Sequence, residues 1–305
     1  LINSLRVMFF GIILASVLGI TVGISRLSSN WLVRKLATIY VELIRNTPLL
    51  IQLFFWYFTV FLKFPKLDNP ITLFDRFFFT NQGIYLPVPA GSIFTYLSLF
   101  FWLFSSVLAI FIWHRQTENI SPQIQSRKLN IFIFLGLAIA SSIVFIFGLD
   151  WRIPQLDLKE NAILGGMQLS TEFATILIGL SIYTAAYIAE VVRAGIQSVD
   201  KGQREAAIAL GLNPSLTMRL VIFPQALRLM IPPLTNEYLN LIKNSSLAVA
   251  IGYSDVYAVA STVSNQTGRS VEILLIIIGT YLSINLIISF IMNWFNRRVQ
   301  LRTRG

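Results

Sequence analysis

The stretch SVDKGQREAAIALGLNPSLTMRLVIFPQALR, residues 198–228, decides how the rest of the chain is read. Apolar runs flank it on both sides, yet it is too polar to cross a bilayer and too patterned for a linker. Asp200, with Gln203 three residues on, has the spacing of a helix-opening capping box. The pattern predicts a short helix through Glu205, Ala206 and Ala207 to Leu210, ended by Gly211 in a left-handed turn. Asn213 then caps a second helix with Pro214 at its first position, where the missing N–H is harmless, and Pro224 stops it. The paired alanines leave the backbone nearly bare, so a groove on another protein can close around it, and Glu205 offers a carboxylate to a basic partner. The alternative is an interfacial helix lying on lipid.

Working outward, the 305-residue chain is 55% hydrophobic and only 12% charged, with a mean hydropathy of +0.69. Soluble domains carry about a quarter charged residues, so this balance points to a membrane. Several apolar runs reach the roughly 20 residues that a spanning helix needs. Seven spans are predicted near 5–24, 48–63, 93–113, 129–149, 170–192, 229–252 and 270–293. An amphipathic stretch, Trp31 to Asn46, precedes the second. Residues 64–92, rich in Pro, Phe and Asn, read as an exposed loop with interfacial aromatics.

The net charge of +10 does not imply a nucleic-acid partner, because the basic residues fall between the spans. Arg26, Arg34, Lys35 and Arg45 lie in one loop; Arg115, Arg127 and Lys128 lie in another. Arg193, Lys201, Arg204, Arg219 and Arg228 crowd a third, and Arg297, Arg298, Arg302 and Arg304 form the tail. Alternate loops thus hold sixteen of the 24 Lys and Arg, which makes those loops cytoplasmic. Seven spans then put the C-terminus inside and Leu1 outside. An outside start without Met predicts a further helix upstream, and the first apolar run is too long for a cleaved signal peptide. Gly11, Ala15, Gly19 and Gly23 recur at every fourth position of the first span, a smooth face for close helix packing.

The loop at 198–228 resembles the signature of type I ABC importer permeases: Glu-Ala-Ala, three residues, Gly, nine residues, Ile, any residue, Leu-Pro. Glu205, Ala206, Ala207, Gly211 and Pro224 match, with Val221 in place of Ile and Phe223 in place of Leu. YVELIRNTPLLIQLFFWYF (Tyr40 to Phe58), YTAAYIAEVVRAGIQSV (Tyr183 to Val199) and LTNEYLNLIKNSSLA (Leu234 to Ala248) are similar to the polar amino-acid branch. The insertion, with its two extra spans, resembles the long permeases of general L-amino-acid importers. The resemblance implies an all-α membrane protein with a MetI-like transmembrane domain over 1–297. An inserted loop and helical hairpin lie at about 66–160, a cytoplasmic coupling loop at 194–225 and a basic tail at 298–305. It also implies that the loop docks into an ATP-binding subunit present in two copies. A second permease, identical or paralogous, an extracytoplasmic solute-binding protein and an amino-acid substrate complete the set. The location implied is the cytoplasmic (inner) membrane.

Ionisable groups within a span are functional candidates by default. Glu172 and Glu190 on the fifth span share a face about 27 Å apart along the axis, with Gly179 and Tyr183 on the same stripe. That stripe reads as lining a path; the alternative leaves both glutamates among headgroups, binding nothing. On the sixth span Asn236, Asn240 and Lys243 cluster on one face, with Glu237 and Asn244 at its edge and Ser245 and Ser246 beyond. Pro232 and Pro233 loosen the backbone just before it. A polar face on a weakened helix suits a zwitterion: Lys243 for a carboxylate, Glu237 for an amine. Alternatively both charges are neutralised by protein groups and hold helices together.

The chain contains no phosphate-cradling Gly-x-x-x-x-Gly-Lys-Ser/Thr, so the energy must come from a partner. With His114 as its single histidine and no cysteine, no Ser-His-Asp, paired-histidine or thiolate set can form, and no cofactor is implied. The resulting expectation is a transport subunit working by alternating access. The rivals are an ATP-independent secondary transporter, which usually shows internal repeats that this chain lacks, and an intramembrane enzyme using only carboxylates.

Overall fold

The computed structural model describes residues 1–93, 95–100, 102–105, 149–157 and 162–301, with the single positions 136, 139, 142 and 143. The helices are α1 (Ile2–Ser25), α2 (Trp31–Arg45), α3 (Leu49–Phe54), α4 (Thr171–Gln197), α5 (Lys201–Ala209), α6 (Pro214–Thr217), α7 (Phe223–Asn244), α8 (Val256–Thr267) and α9 (Ser270–Leu301). Among the described residues eight short strands, β1 (Ile71–Leu73) to β8 (Met167–Ser170), lie between α3 and α4. Contacts divide the chain into two units, Leu1–Lys63 with Ser170–Gly305, and Phe64–Leu169.

In the first unit α4 is the central post. Ile176, Leu180 and Ile188 on α4 are inaccessible, and Val7 and Ala15 of α1, Leu49 and Leu53 of α3 and Leu241 of α7 share their core. The every-fourth-residue face of α1, Gly11, Ala15, Gly19 and Gly23, is buried. At Gly19 a Cβ would stand 2.9 Å from the Ala185 carbonyl oxygen, and at Gly23 2.9 Å from that of Ala189. The small residues therefore let two backbones meet inside the chain, which is how helices associate where lipid offers no hydrophobic drive. Gly11 differs, because its added Cβ would meet only Leu241 side-chain carbons, at 3.6 Å. Gly19→Ala is expected to lower the thermal stability of the detergent-solubilised subunit, by about 1–3 kcal/mol for forced overpacking. Gly11→Ala should leave it nearly unchanged. Equal melting temperatures for the two variants would refute this account of the contact.

Asn30 caps α2 by accepting from the Leu32 and Val33 amides. Ala37, Val41 and Ile44 form its buried face, whereas Trp31, Leu36 and Leu43 stay exposed. Among the described residues three helices, α1, α4 and residues 270–299 of α9, are long and apolar enough to span. A fourth is the pair Pro214–Ile251 and Val256–Thr267, bent by 56°. None of the apolar window of α9 is buried within the chain, against 61% of that of α4. The predicted second span is the shorter helix Leu49–Lys63. The third is helical at 95–100 and 102–105. Most of the fourth, with His114, Arg115, Arg127 and Lys128, and the tail residues Arg302 and Arg304, lie outside the described residues.

The bend after α7 is tied down on three sides. Gly252 takes a left-handed φ of 80°, and Asp255, 2% exposed, accepts from the Ala258 amide at 2.7 Å and from the Tyr281 hydroxyl at 3.3 Å. Ser4 of α1 accepts from the Val256 amide at 2.9 Å, and Asn3 donates to the Ser254 carbonyl at 2.9 Å.

The second unit corrects the reading of 64–92 as a loop. β1, β2 (Phe77–Thr80) and β3 (Gly83–Leu86) form an antiparallel meander, with β8 added to give the order β1-β2-β3-β8. Ile71 faces Phe79 and Leu73 faces Phe77, while Phe78 faces Tyr85. Among the described residues it also holds two small two-stranded pairs, Val88–Pro89 with Trp151–Arg152 and Gln155–Asp157 with Ala162–Leu164.

Candidate functional site

The loop at 198–228 is built from local signals. The Asp200 side chain accepts from the Gly202 amide at 2.6 Å and opens α5. Gln203 does not close a reciprocal box; its amide oxygen accepts from Gln225 Nε2 at 3.1 Å, tying α5 to α7. At the other end Leu212 N–H reaches the Ala207 carbonyl at 3.1 Å and Gly211 N–H that of Ile208 at 2.9 Å. This paired pattern is the Schellman closure, and it needs the φ of 76° found at Gly211. A Cβ there would touch nothing within 4 Å, so conformation, not space, selects glycine. Asn213 accepts from the Leu216 amide at 2.9 Å and starts α6 at Pro214.

Pro224 does not stop the helix. The chain passes from α6 through a π turn, Met218–Ile222, straight into α7 with Pro224 in its first turn. A proline ring clashes with the carbonyl four residues back, and widening to π register just before it removes that clash. Among the five signature residues Glu205 and Ala206 are exposed and Ala207 is buried. Ile208 and Leu210 project with 63% and 81% exposure beside them. Arg204, Ile208, Leu212 and Met218 line an open cleft of about 400 Å³ under the turn.

Glu172 sits in the first turn of α4 and accepts from the Tyr57 hydroxyl at 3.3 Å. Glu190 lies toward its other end, where the guanidinium groups of Arg26 and Arg193 donate to its two oxygens. Arg45 stands 3.6 Å away and lies 5.3 Å over the Tyr187 ring. Three arginines thus gather on a carboxylate whose side chain remains 25% exposed. Their convergence is not readable from sequence, which identifies them only as loop charges.

The Tyr183 hydroxyl is 3.0 Å from that of Tyr187. On α7, which runs through Pro232 and Pro233 without breaking, Asn236, Asn240 and Lys243 are exposed while Glu237 and Asn244 are half-buried. Asn236, Asn240 and Lys243 thus make an exposed stripe along α7, with Glu237 at its edge. Glu172 stands apart with Tyr57. Ser245 is also apart: it is buried, and its hydroxyl donates to the Ile242 carbonyl at 2.7 Å.

Residues 126–301 match the family described as the binding-protein-dependent transport system inner membrane component. The whole chain aligns at 43% identity with 78% of a putative amino-acid ABC transporter permease, YhdX of Escherichia coli K12. The chain belongs to the ABC transporter permeases. The permease is also 41% identical, over its full length and 76% of the relative, to the general L-amino acid transport system permease AapQ of Rhizobium johnstonii. With BztB of Rhodobacter capsulatus, a glutamate/glutamine/aspartate/asparagine transport system permease, the identity is 36% over 92% of the permease and 73% of the relative. A crystal structure of an amino acid ABC transporter with histidines shares its fold, at a TM-score of 0.57 and 24% identity over 98% of the permease and 91% of that chain. The permease is therefore a multi-pass inner-membrane transport component with an all-helical spanning domain of the MetI-like type.

Proposed function

We propose that this permease carries amino acids inward across the membrane by alternating access, driven by ATP hydrolysis in separate subunits. The observation that carries the reading is α5, a short helix closed at both ends whose Glu205 and Ala206 face outward from the chain. A helix of nine residues is marginal alone, so closing it at both ends preorganises a rigid knob for a partner. In this reading Glu205 to Gly211 dock into an ATP-binding subunit, one for each of two permeases. The arginine-rich loops and the C-terminal tail face the cytoplasm, and an extracytoplasmic binding protein supplies the solute. The spanning domain occupies 1–297, with 66–160 inserted into it.

The exposed stripe Asn236, Asn240 and Lys243, with Glu237 and Tyr183 beside it, is the proposed amino-acid path. A polar stripe facing away from its own bundle must meet water or another subunit, since lipid would leave it unsatisfied. Lys243→Met is expected to raise KM for uptake about tenfold, a loss of roughly 1.4 kcal/mol, with normal membrane levels. Wild-type uptake kinetics would return Lys243 to a structural role.

The deciding experiment is reconstitution. The permease, co-purified with the ATPase and binding protein that associate with it, should take up labelled amino acids into vesicles only with ATP. Ion-driven uptake by the permease alone would establish a secondary transporter instead.

A further inference from the structure

The helix α2 presents three faces where a surface helix needs two. Ala37, Val41 and Ile44 are buried, and Val41 and Ile44 pack with Ala186 and Ala189 of α4. Leu32, Leu36, Ile39 and Leu43 fall on a second face, within about 60° of arc, and each is between 47% and 60% exposed. Arg34, Lys35, Thr38, Glu42 and Arg45 fall on the third, all but Thr38 exposed. An apolar side against the core and a polar side in water would complete an ordinary amphipathic helix. The uncovered apolar face, which runs most of the length of α2, calls for an apolar medium of its own.

The position of α2 identifies that medium. Near its start Arg34 donates to the Ser28 carbonyl at 2.9 Å, two residues past the Arg26 that pairs with Glu190. At its other end Arg45 stands 3.6 Å from the same Glu190. Both ends of α2 are therefore held at one end of α4, so this helix, about 22 Å long, crosses the post instead of running along it. The spans it touches, α1 and α4, belong to the same compact unit. Arg26, Glu190 and Arg193 bring charge to both spans at that level, where an apolar stretch gives way to headgroups. A helix that crosses the bundle there lies in the plane of the membrane.

We propose that α2 is an in-plane helix seated in the leaflet at the Glu190 end of α4, with Leu32, Leu36, Ile39 and Leu43 among the acyl chains and Arg34 and Lys35 on the phosphates of anionic phospholipids. Charge argues for the anionic partner, since Arg34, Lys35 and Arg45 stand against Glu42 alone on the polar face. Long basic side chains lay their stems on apolar surface and carry the charge out to headgroups. Trp31, exposed at the first turn, adds the amphipathic ring that this boundary favours. A protein partner would have to cover the apolar stripe and supply acid to the neighbouring face at once. A lipid monolayer offers both media within the width of one helix.

Because the chain has no cysteine, single labels report without background. Leu36→Cys and Glu42→Cys, each carrying an environment-sensitive fluorophore, are compared in the assembled transporter. The complex is held in nanodiscs of phosphatidylcholine and phosphatidylglycerol, with or without nitroxide on the acyl chains. Seating to roughly 5–10 Å predicts lipid-borne quenching at 36 about threefold that at 42, with soluble iodide showing the reverse order. Moving the nitroxide from phosphatidylcholine to phosphatidylglycerol, at equal mole fraction, should raise quenching at 36 about twofold, and Arg34→Gln with Lys35→Gln should abolish that difference. If Leu36→Cys does not assemble, Leu32→Cys reads the same stripe. Equal iodide quenching at 36 and 42 would overturn the proposal. So would a label at 36 shielded from both quenchers, which would assign the stripe to a second permease. Equal quenching by the two labelled lipids would overturn the anionic partner.

Discussion

Glu205→Lys is expected to cut solute uptake at least about tenfold, roughly 1.4 kcal/mol of lost coupling, while the subunit reaches the membrane at wild-type levels. The separation of the two effects follows from the geometry. Glu205 is exposed in the middle of α5 and makes no ion pair among the described residues, so its removal leaves nothing unpaired inside the chain. Lysine is as good a helix former as glutamate, so α5 should persist. What changes is the sign of the charge presented to a docked subunit, and like charges brought together at an interface cost several kcal/mol. Glu205→Gln should be milder than Glu205→Lys, because it removes an attraction without adding a repulsion. Gly211→Asp should reach a similar end by another route, since a β-carbon at φ 76° disfavours the closure that holds α5 in place. ATP hydrolysis and uptake measured on the reconstituted complex check all three. Wild-type uptake by both Glu205→Lys and Gly211→Asp would remove α5 from the mechanism.

Glu190→Leu is expected to have a different signature, a lowered stability of the subunit itself. Its carboxylate gathers guanidinium groups from the end of α1, the end of α2 and its own helix. Arg26 is only 11% exposed there, so it cannot turn outward to water cheaply. Without the glutamate, three positive charges face one another at the edge of the membrane. Breaking a buried pair costs about 3–5 kcal/mol, and an exposed one typically under 1. With the Glu190 side chain 25% exposed, about 2 kcal/mol is the expected loss. The check is thermal unfolding in detergent. The double variant Glu190→Leu with Arg26→Met should recover part of the loss, because it removes the cation with least access to water. An unchanged melting temperature for Glu190→Leu would mean that the cluster contributes nothing to the fold.

The elements that were legible are those whose cause lies within a few residues. Asp200, Gly211, Asn213 and Pro214 each act on the backbone next to them, so both ends of α5 and the start of α6 can be read directly from sequence. The four small residues of α1 announce a close approach, although not that α4 is the helix they meet. Legibility ends where the cause is distant. Pro224 reads as a terminator because the π turn ahead of it has no sequence signature. The strands at 71–86 are three or four residues long, and Phe77, Phe78 and Phe79 run consecutively, so there is no alternation to reveal a sheet. Their turn is Phe-Asp where Asn-Gly would have announced a hairpin. Glu190 is visible as a costly charge in a span, but its arginines come from positions 26, 45 and 193 and meet only in the folded chain.

The unbroken run from Pro214 to Ile251 has a mechanical consequence. At 1.5 Å per residue it extends roughly 55 Å, far beyond the hydrocarbon thickness of about 30 Å. One end lies beside α5, and Asn236, Asn240 and Lys243 lie well along its length. Such a shaft works as a lever: swinging it by about 10° around one end sweeps the far end through roughly 10 Å. A small tilt imposed at Pro214 would therefore be magnified on its way to Gly252, where the rod stops.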